Sequence, residues 1–94
     1  MASINTGELQ GSITAVQCPD IACTMVRFKA ESDNAGGVYV GVSSGVTKAN
    51  GTTDTTTGFN LEAGHDTGWI PCNNVNQFYR ICDNAGDDLT YIAI

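Results

Sequence analysis

Apolar and polar residues alternate along this chain in short runs with a period of two, and clusters of Gly, Asn, Asp and Pro separate the runs. Residues 24–31 are the cleanest case. Val26, Phe28 and Ala30 fall on one face, Arg27, Lys29 and Glu31 on the other, the pattern of a half-buried strand. The turn at 32–37 offers Asn and Gly for positive φ. Val38, Val40 and Val42 then continue the inward face, so residues 24–42 predict a β-hairpin. Further strands are predicted at 12–17 (Ile13 and Ala15 on one face), 59–61 (Phe59 and Leu61 inward), 66–72, 77–82 and 89–94. In 77–82, Phe78 and Arg80 share one face, Tyr79 and Ile81 the other. Pro19 makes a corner of 18–22, because proline removes a ladder donor.

Two segments lack this alternation. Residues 1–10 predict a flexible or extended amino-terminal arm, followed by a single domain over 11–94. Residues 43–58 are rich in Thr and Gly and predict an extended surface loop, too polar to join a core. The tetrapeptide Asp-Asn-Ala-Gly occurs at 33–36 and again at 83–86. Each copy joins two strand-like runs between unlike flanks, which favours hairpin chemistry over duplication. The chain closes on an apolar strand, Tyr91-Ile92-Ala93-Ile94, which needs pairing in its own sheet or against a neighbour.

Six or seven short strands without βαβ alternation predict an all-β protein. The expected fold is a small antiparallel β-sandwich with jelly-roll or Greek-key connections. Composition agrees: Val, Ile and Thr total 25 of 94 residues, against 15 for Leu, Met, Lys, Arg, Glu and Gln together.

Charge narrows the function. Ten acids stand against four bases, a net charge of −6. With only Arg27, Lys29, Lys48 and Arg80 as cations, no basic face for nucleic acid is expected. No run approaches a membrane span. The first ten residues lack a basic start and an apolar stretch, so no secretory signal is expected. Asn50-Gly51-Thr52 is a formal glycosylation acceptor that has no meaning without a secretory route.

Candidate chemistry is sparse. Cys18, Cys23, Cys72 and Cys82 are spaced C-x4-C and C-x9-C, without the tight knuckle of a zinc site. Reduced thiols acting as small apolar groups are the default. Cys18 and Cys72 each lie beside a proline and would bridge if those strand ends are neighbours. His65 sits between Glu62 and Asp66 in a turn, with nothing to suggest the burial a general base needs. Asp83, Asp87 and Asp88 crowd one turn and are the calcium candidates, though Asx residues also simply favour turns. No catalytic residue and no cofactor is expected. Tyr39, Trp69 and Tyr91, with Ile92 and Ile94, are the candidate contact residues. Exposed aromatics serve subunit contacts or a sugar platform.

Several of these segments form an ordered series: Gly37-Val38-Tyr39-Val40-Gly41, Gly45-Val46-Thr47, Gly58-Phe59-Asn60-Leu61-Glu62-Ala63-Gly64, Trp69-Ile70-Pro71 and Asn76-Gln77-Phe78-Tyr79. The series resembles the small β-rich structural proteins of tailed bacteriophages, over about residues 13–92. The resemblance implies a β-sandwich on the virion: a capsid decoration or cement protein, or a head-fibre or tail component, commonly a trimer. It implies assembly rather than catalysis, made in the host cytoplasm, with the major capsid protein or another virion protein as partner. The alternative is a carbohydrate- or receptor-binding module of a tail or head fibre, with Trp69 and the tyrosines at the ligand. The resemblance carries no set of functional residues.

Overall fold

The computed structural model describes residues 3–48 and 56–94; the Asn50-Gly51-Thr52 sequence lies outside them. Among the described residues eight strands are formed: β1 (Asn5–Leu9), β2 (Val16–Gln17), β3 (Met25–Ala30), β4 (Val38–Gly41), β5 (Phe59–Leu61), β6 (Ile70–Pro71), β7 (Tyr79–Cys82) and β8 (Leu89–Ala93). They make two antiparallel sheets, ordered β1-β8-β3-β6 and β2-β7-β4-β5. The pairs are nested: β1 with β8, β2 with β7, β3 with β6 and β4 with β5. The chain is thus one long antiparallel hairpin, bent between β4 and β5 and rolled so that successive pairs alternate between sheets. Contacts of β3 with β8 and of β4 with β7 complete the sheets. This is the eight-stranded jelly roll.

The core lies between the sheets. From the first sheet come Leu9, Val26, Phe28, Ala30, Leu89 and Ala93; from the second side come Val38, Val40, Leu61, Phe78 and Cys82. The Phe28 and Phe78 rings meet edge to face across the gap, 5.4 Å apart at 71°, a favoured aromatic geometry. Val75, in what reads as a polar connection, is fully buried. A 3₁₀ turn at Val75–Gln77 carries it inward, held by a capping box in which Asn74 caps the Asn76 and Gln77 amides while the Gln77 side chain accepts from Asn74 N–H.

Several expectations are corrected. Residues 24–42 are not a hairpin: β3 and β4 lie in different sheets, and 31–37 crosses between them. Alternation sets which face a residue takes, not which strand it pairs with. Most of the expected flexible or extended arm is extended, as strand β1, and is paired into the sheet over five residues from Asn5↔Ala93 to Leu9↔Leu89. Its sequence, NTGEL, hides this because only Leu9 is buried. The 12–17 run reduces to two paired residues, with Ile13 exposed. The 66–72 run reduces to Ile70–Pro71 plus a Lys29↔Asp66 bridge.

The stretch after β4 is not all surface. Val46 is buried with Tyr39 and Ile81 in a second apolar cluster, which covers the outer face of the second sheet. Glycine spacing permits this. A Cβ at Gly41 would lie 2.6 Å from Val46 Cγ2, and one at Gly58 would lie 2.8 Å from the same atom. The neck of the loop is tied by Thr47 and Thr57, whose N–H groups each donate to the other's Oγ1 at 3.1 Å.

Candidate functional site

Strand direction sorts the molecule into two ends. At one end lie the carboxyl ends of β1, β3, β5 and β7 and the starts of β4 and β8. Glu8, Glu31, Asp33, Glu62, Asp83, Asp87 and Asp88, seven of the ten acids, gather there. The two Asp-Asn-Ala-Gly segments are the sheet-to-sheet corners of this end, and they pack on each other. Asn34 Oδ1 accepts from Asp88 N–H at 2.9 Å, and Asn34 Nδ2 donates to the Asp88 carbonyl at 2.9 Å. Asp87, only 2 % exposed, accepts through Oδ1 from Ala35 and Gly36 N–H and through Oδ2 from Asn84 N–H and Nδ2. Burial pushes Asp87 up, but these donors outweigh it and hold the carboxyl below its usual value. Neither corner uses positive φ, which among the described residues is confined to Gly64 and Gly68. Gly36 is needed for closeness instead: a Cβ there would lie 2.8 Å from Asp83 Cβ.

These contacts describe what the three calcium candidates do within the chain. Asp83 accepts from Gly37 N–H at 2.9 Å and Asp88 Oδ1 from Gly11 N–H at 2.9 Å. The three aspartates are thus engaged with N–H donors, and they do not converge on one point. The carboxylates that do converge are Glu8, Glu31 and Asp88, with oxygens within 4.8 Å of one another. Glu31 Oε2 is shut off from water with no donor in reach among the described residues. Contact with the adjoining Glu8 carboxyl, together with burial and the charges of Glu8, Asp88 and Asp33, pushes Glu31 up to about 6. The Glu62-His65-Asp66 turn is exposed, and Asp66 is committed to Arg27 at 2.8 Å.

The opposite end is apolar. Val42 is 78 % exposed, Phe59 61 % and Trp69 41 %. Val42 and Phe59 line, with Val40, Ile70 and Phe78, a groove of about 340 Å³ between the edge strands β5 and β6. A second hollow of about 610 Å³ shares Val42, Ile70 and Phe78 and extends past Cys72 to Tyr79. Alternation along β4 placed Val42 inward, but the strand stops at Gly41 and Val42 lies beyond the core. Phe59 shares Leu61's face yet sits at the mouth of the sandwich, where the core has ended. The polar run that begins at Ser43 is the signal that the strand was over.

The five candidate contact residues do not form one patch. Trp69 is exposed, one residue before Ile70 of β6. Tyr39 is buried at 3 % under Val46, with its hydroxyl 3.4 Å from the Asp83 carboxylate; it is corrected to a packing residue. Tyr91 packs against the main core, its ring lying over Gly7. Ile92 lies on the outer face of the first sheet, between Thr6 and Arg27. Ile94 pairs through its backbone with Thr24 and Met25, so the terminal strand finds its partners within the chain.

The thiols also pair differently from expectation. Cys18 is buried, its Sγ 3.9 Å from Arg80 Nη1. Cys82 Sγ accepts from Ser12 N–H and donates to the Ser12 carbonyl. The neighbour of Cys72 is Cys23, Sγ to Sγ 3.4 Å, rather than Cys18. Comparison with family models, with curated proteins and with solved structures finds no match to this chain, and the functional reading therefore stands on this two-ended geometry.

Proposed function

We propose that this chain is a virion structural protein, a capsid decoration (cement) protein of a tailed bacteriophage that self-associates through its apolar end and stabilises the head. The observation that carries the reading is the exposure of Val42 and Phe59 on one apolar groove at one end of a domain this small. Uncovered apolar surface costs roughly 25 cal/mol per Å², and clusters of it mark contact sites. A single core of 94 residues also gains stability from association. The jelly roll is a frame common among capsid and lectin domains, which supports the reading by analogy only. In the assembled trimer the acidic end faces solvent, where its charge keeps neighbouring particles apart. The partner is the major capsid protein, and the protein resides on the virion after synthesis in the host cytoplasm.

The test is co-sedimentation of the purified chain with expanded, undecorated heads of tailed phages. Saturable binding, lost in a V42D/F59D variant that still folds, supports the proposal. Absence of binding to every head tried, by a chain that is also monomeric, overturns it. One observation favours a second reading, a carbohydrate- or receptor-binding module: Trp69 stands exposed just before Ile70 of the groove, as a stacking platform for a sugar would. Glycan binding that disappears in Trp69→Ala would select that reading.

A further inference from the structure

Cys23 and Cys72 face each other across the β3–β6 edge of the first sheet, their sulfurs 3.4 Å apart. Backbone pairing holds both flanks in place: Cys23 N–H donates to the Asn73 carbonyl at 3.1 Å and Cys72 N–H to the Thr24 carbonyl at 3.0 Å. Both residues are half-buried, and Cys72 borders the larger open hollow. Cys18 and Cys82 are fully buried and engaged with Arg80 and Ser12. Strand β6 is the weakest element of its sheet. It pairs over two residues, one of them Pro71, which has no N–H to give.

We propose that Cys23 and Cys72 are a redox modification site, forming a disulfide that fastens edge strand β6 to β3 when the reduced chain meets an external disulfide such as oxidised glutathione. The Cys23 thiolate attacks one sulfur of the external disulfide, forming a mixed disulfide and releasing one thiolate. The Cys72 thiol then gives up its proton to solvent, and its sulfur attacks that of Cys23, releasing the second thiolate. Two protein thiols are oxidised, one external disulfide is reduced to two thiols, and no further oxidant is needed. The order follows from the environment of Cys72. Burial, then the hydrogen bond and charge of Cys23, push it up to about 11, so at neutral pH it keeps its proton and is the resolving thiol. The bond spans 49 positions of sequence, including β3, β4 and β5, and such closure raises the thermal midpoint of a domain this size by at least about 10 °C. The inference is independent of the assembly role proposed above.

The test treats the folded, reduced chain with oxidised glutathione and maps the thiols after digestion before Asp and after Lys and Arg. That digestion puts each of the four cysteines on its own peptide. The expected result is a loss of two hydrogens from the intact mass and a crosslink between peptide 20–27 and peptide 66–80. The crosslinked chain melts higher, and reductant abolishes the gain. In Cys72→Ser glutathione stays on Cys23, whereas Cys23→Ser remains unmodified. Four surviving thiols under conditions that oxidise the urea-unfolded chain would overturn the proposal, as would a crosslink from Cys18 to Cys72. The mapping needs no variant, so a substitution that failed to fold would leave it intact.

Discussion

At one end of this sandwich seven carboxylates crowd around two chain reversals; at the other, Val42 and Phe59 stand in solvent on an apolar groove. The acidic end is held by directed bonds. Asp87 takes four donors from two corners 50 residues apart in sequence, and Asn34 completes the link to Asp88. The Asp87 charge is internal structure rather than an available ligand. The apolar end carries the reverse balance: Val42 and Phe59 are largely exposed, and their side chains border an open groove. Charge density alone would have nominated the acidic end as the functional one. The difference teaches that a polar cluster already satisfied by backbone donors explains stability, whereas uncovered apolar surface calls for a partner.

The comparison breaks most visibly at Asp87. Asp87→Ala leaves buried amides of both corners without an acceptor and is expected to cost about 3 kcal/mol of unfolding free energy, measured by urea denaturation, without changing the oligomeric mass. Next is Gly41→Ala, where the strand that leads to the apolar end is covered by Val46. The added methyl meets Val46 Cγ2 at 2.6 Å, and unseating that side chain is expected to cost about 1–3 kcal/mol, read by the same titration, with faster hydrogen exchange at Tyr39 and Ile81.

The smallest effect sharpens the acidic end by pH. Glu31 is raised from 4.5 to about 6, so between those values the folded chain holds more protons than the unfolded one. Its contribution to stability is therefore complete below about 4.5 and is lost as pH rises through about 6. Asp87 has the opposite sign. Its folded value is lowered from 3.8, so its contribution is present above that value and is lost as pH falls through the folded value. On these two groups stability across a pH series is expected to peak at about 4 to 4.5 and to decline toward about 6. Glu31→Gln should flatten the decline on the alkaline side of the peak and leave the acid limb unchanged.

Much of the sandwich was legible. The alternation in 24–31 and 77–82, the placement of Tyr79 and Ile81 opposite Phe78, and the terminal strand all follow from period-two patterning. The jelly-roll connections were anticipated, but not the pairing that produces them. A turn such as Asp-Asn-Ala-Gly reads the same whether it closes a hairpin or crosses between sheets, because the choice depends on partners 50 residues away. The repeat was the available clue: two identical corners lie side by side in space. Strand β1 was invisible because an edge strand whose residues, Leu9 apart, escape full burial leaves almost no apolar trace. Tyr39 was misread because one covering side chain, Val46, hides in a polar run. The proposed contact surface was half legible. Trp69 stood out by its type, whereas Val42 and Phe59 follow the inward alternation and lie just past the point where the core stops.

The most direct measurement is the solution mass of the purified chain by light scattering, with V42D/F59D measured beside it in reductant. The account predicts a defined oligomer of the 9.8 kDa chain, three copies favoured, that falls to single chains in the variant. The variant's urea midpoint should change by no more than exposed substitutions usually cause, about 0.5 kcal/mol. A wild-type chain that stays monomeric at every concentration, or an oligomer indifferent to both aspartates, would contradict it.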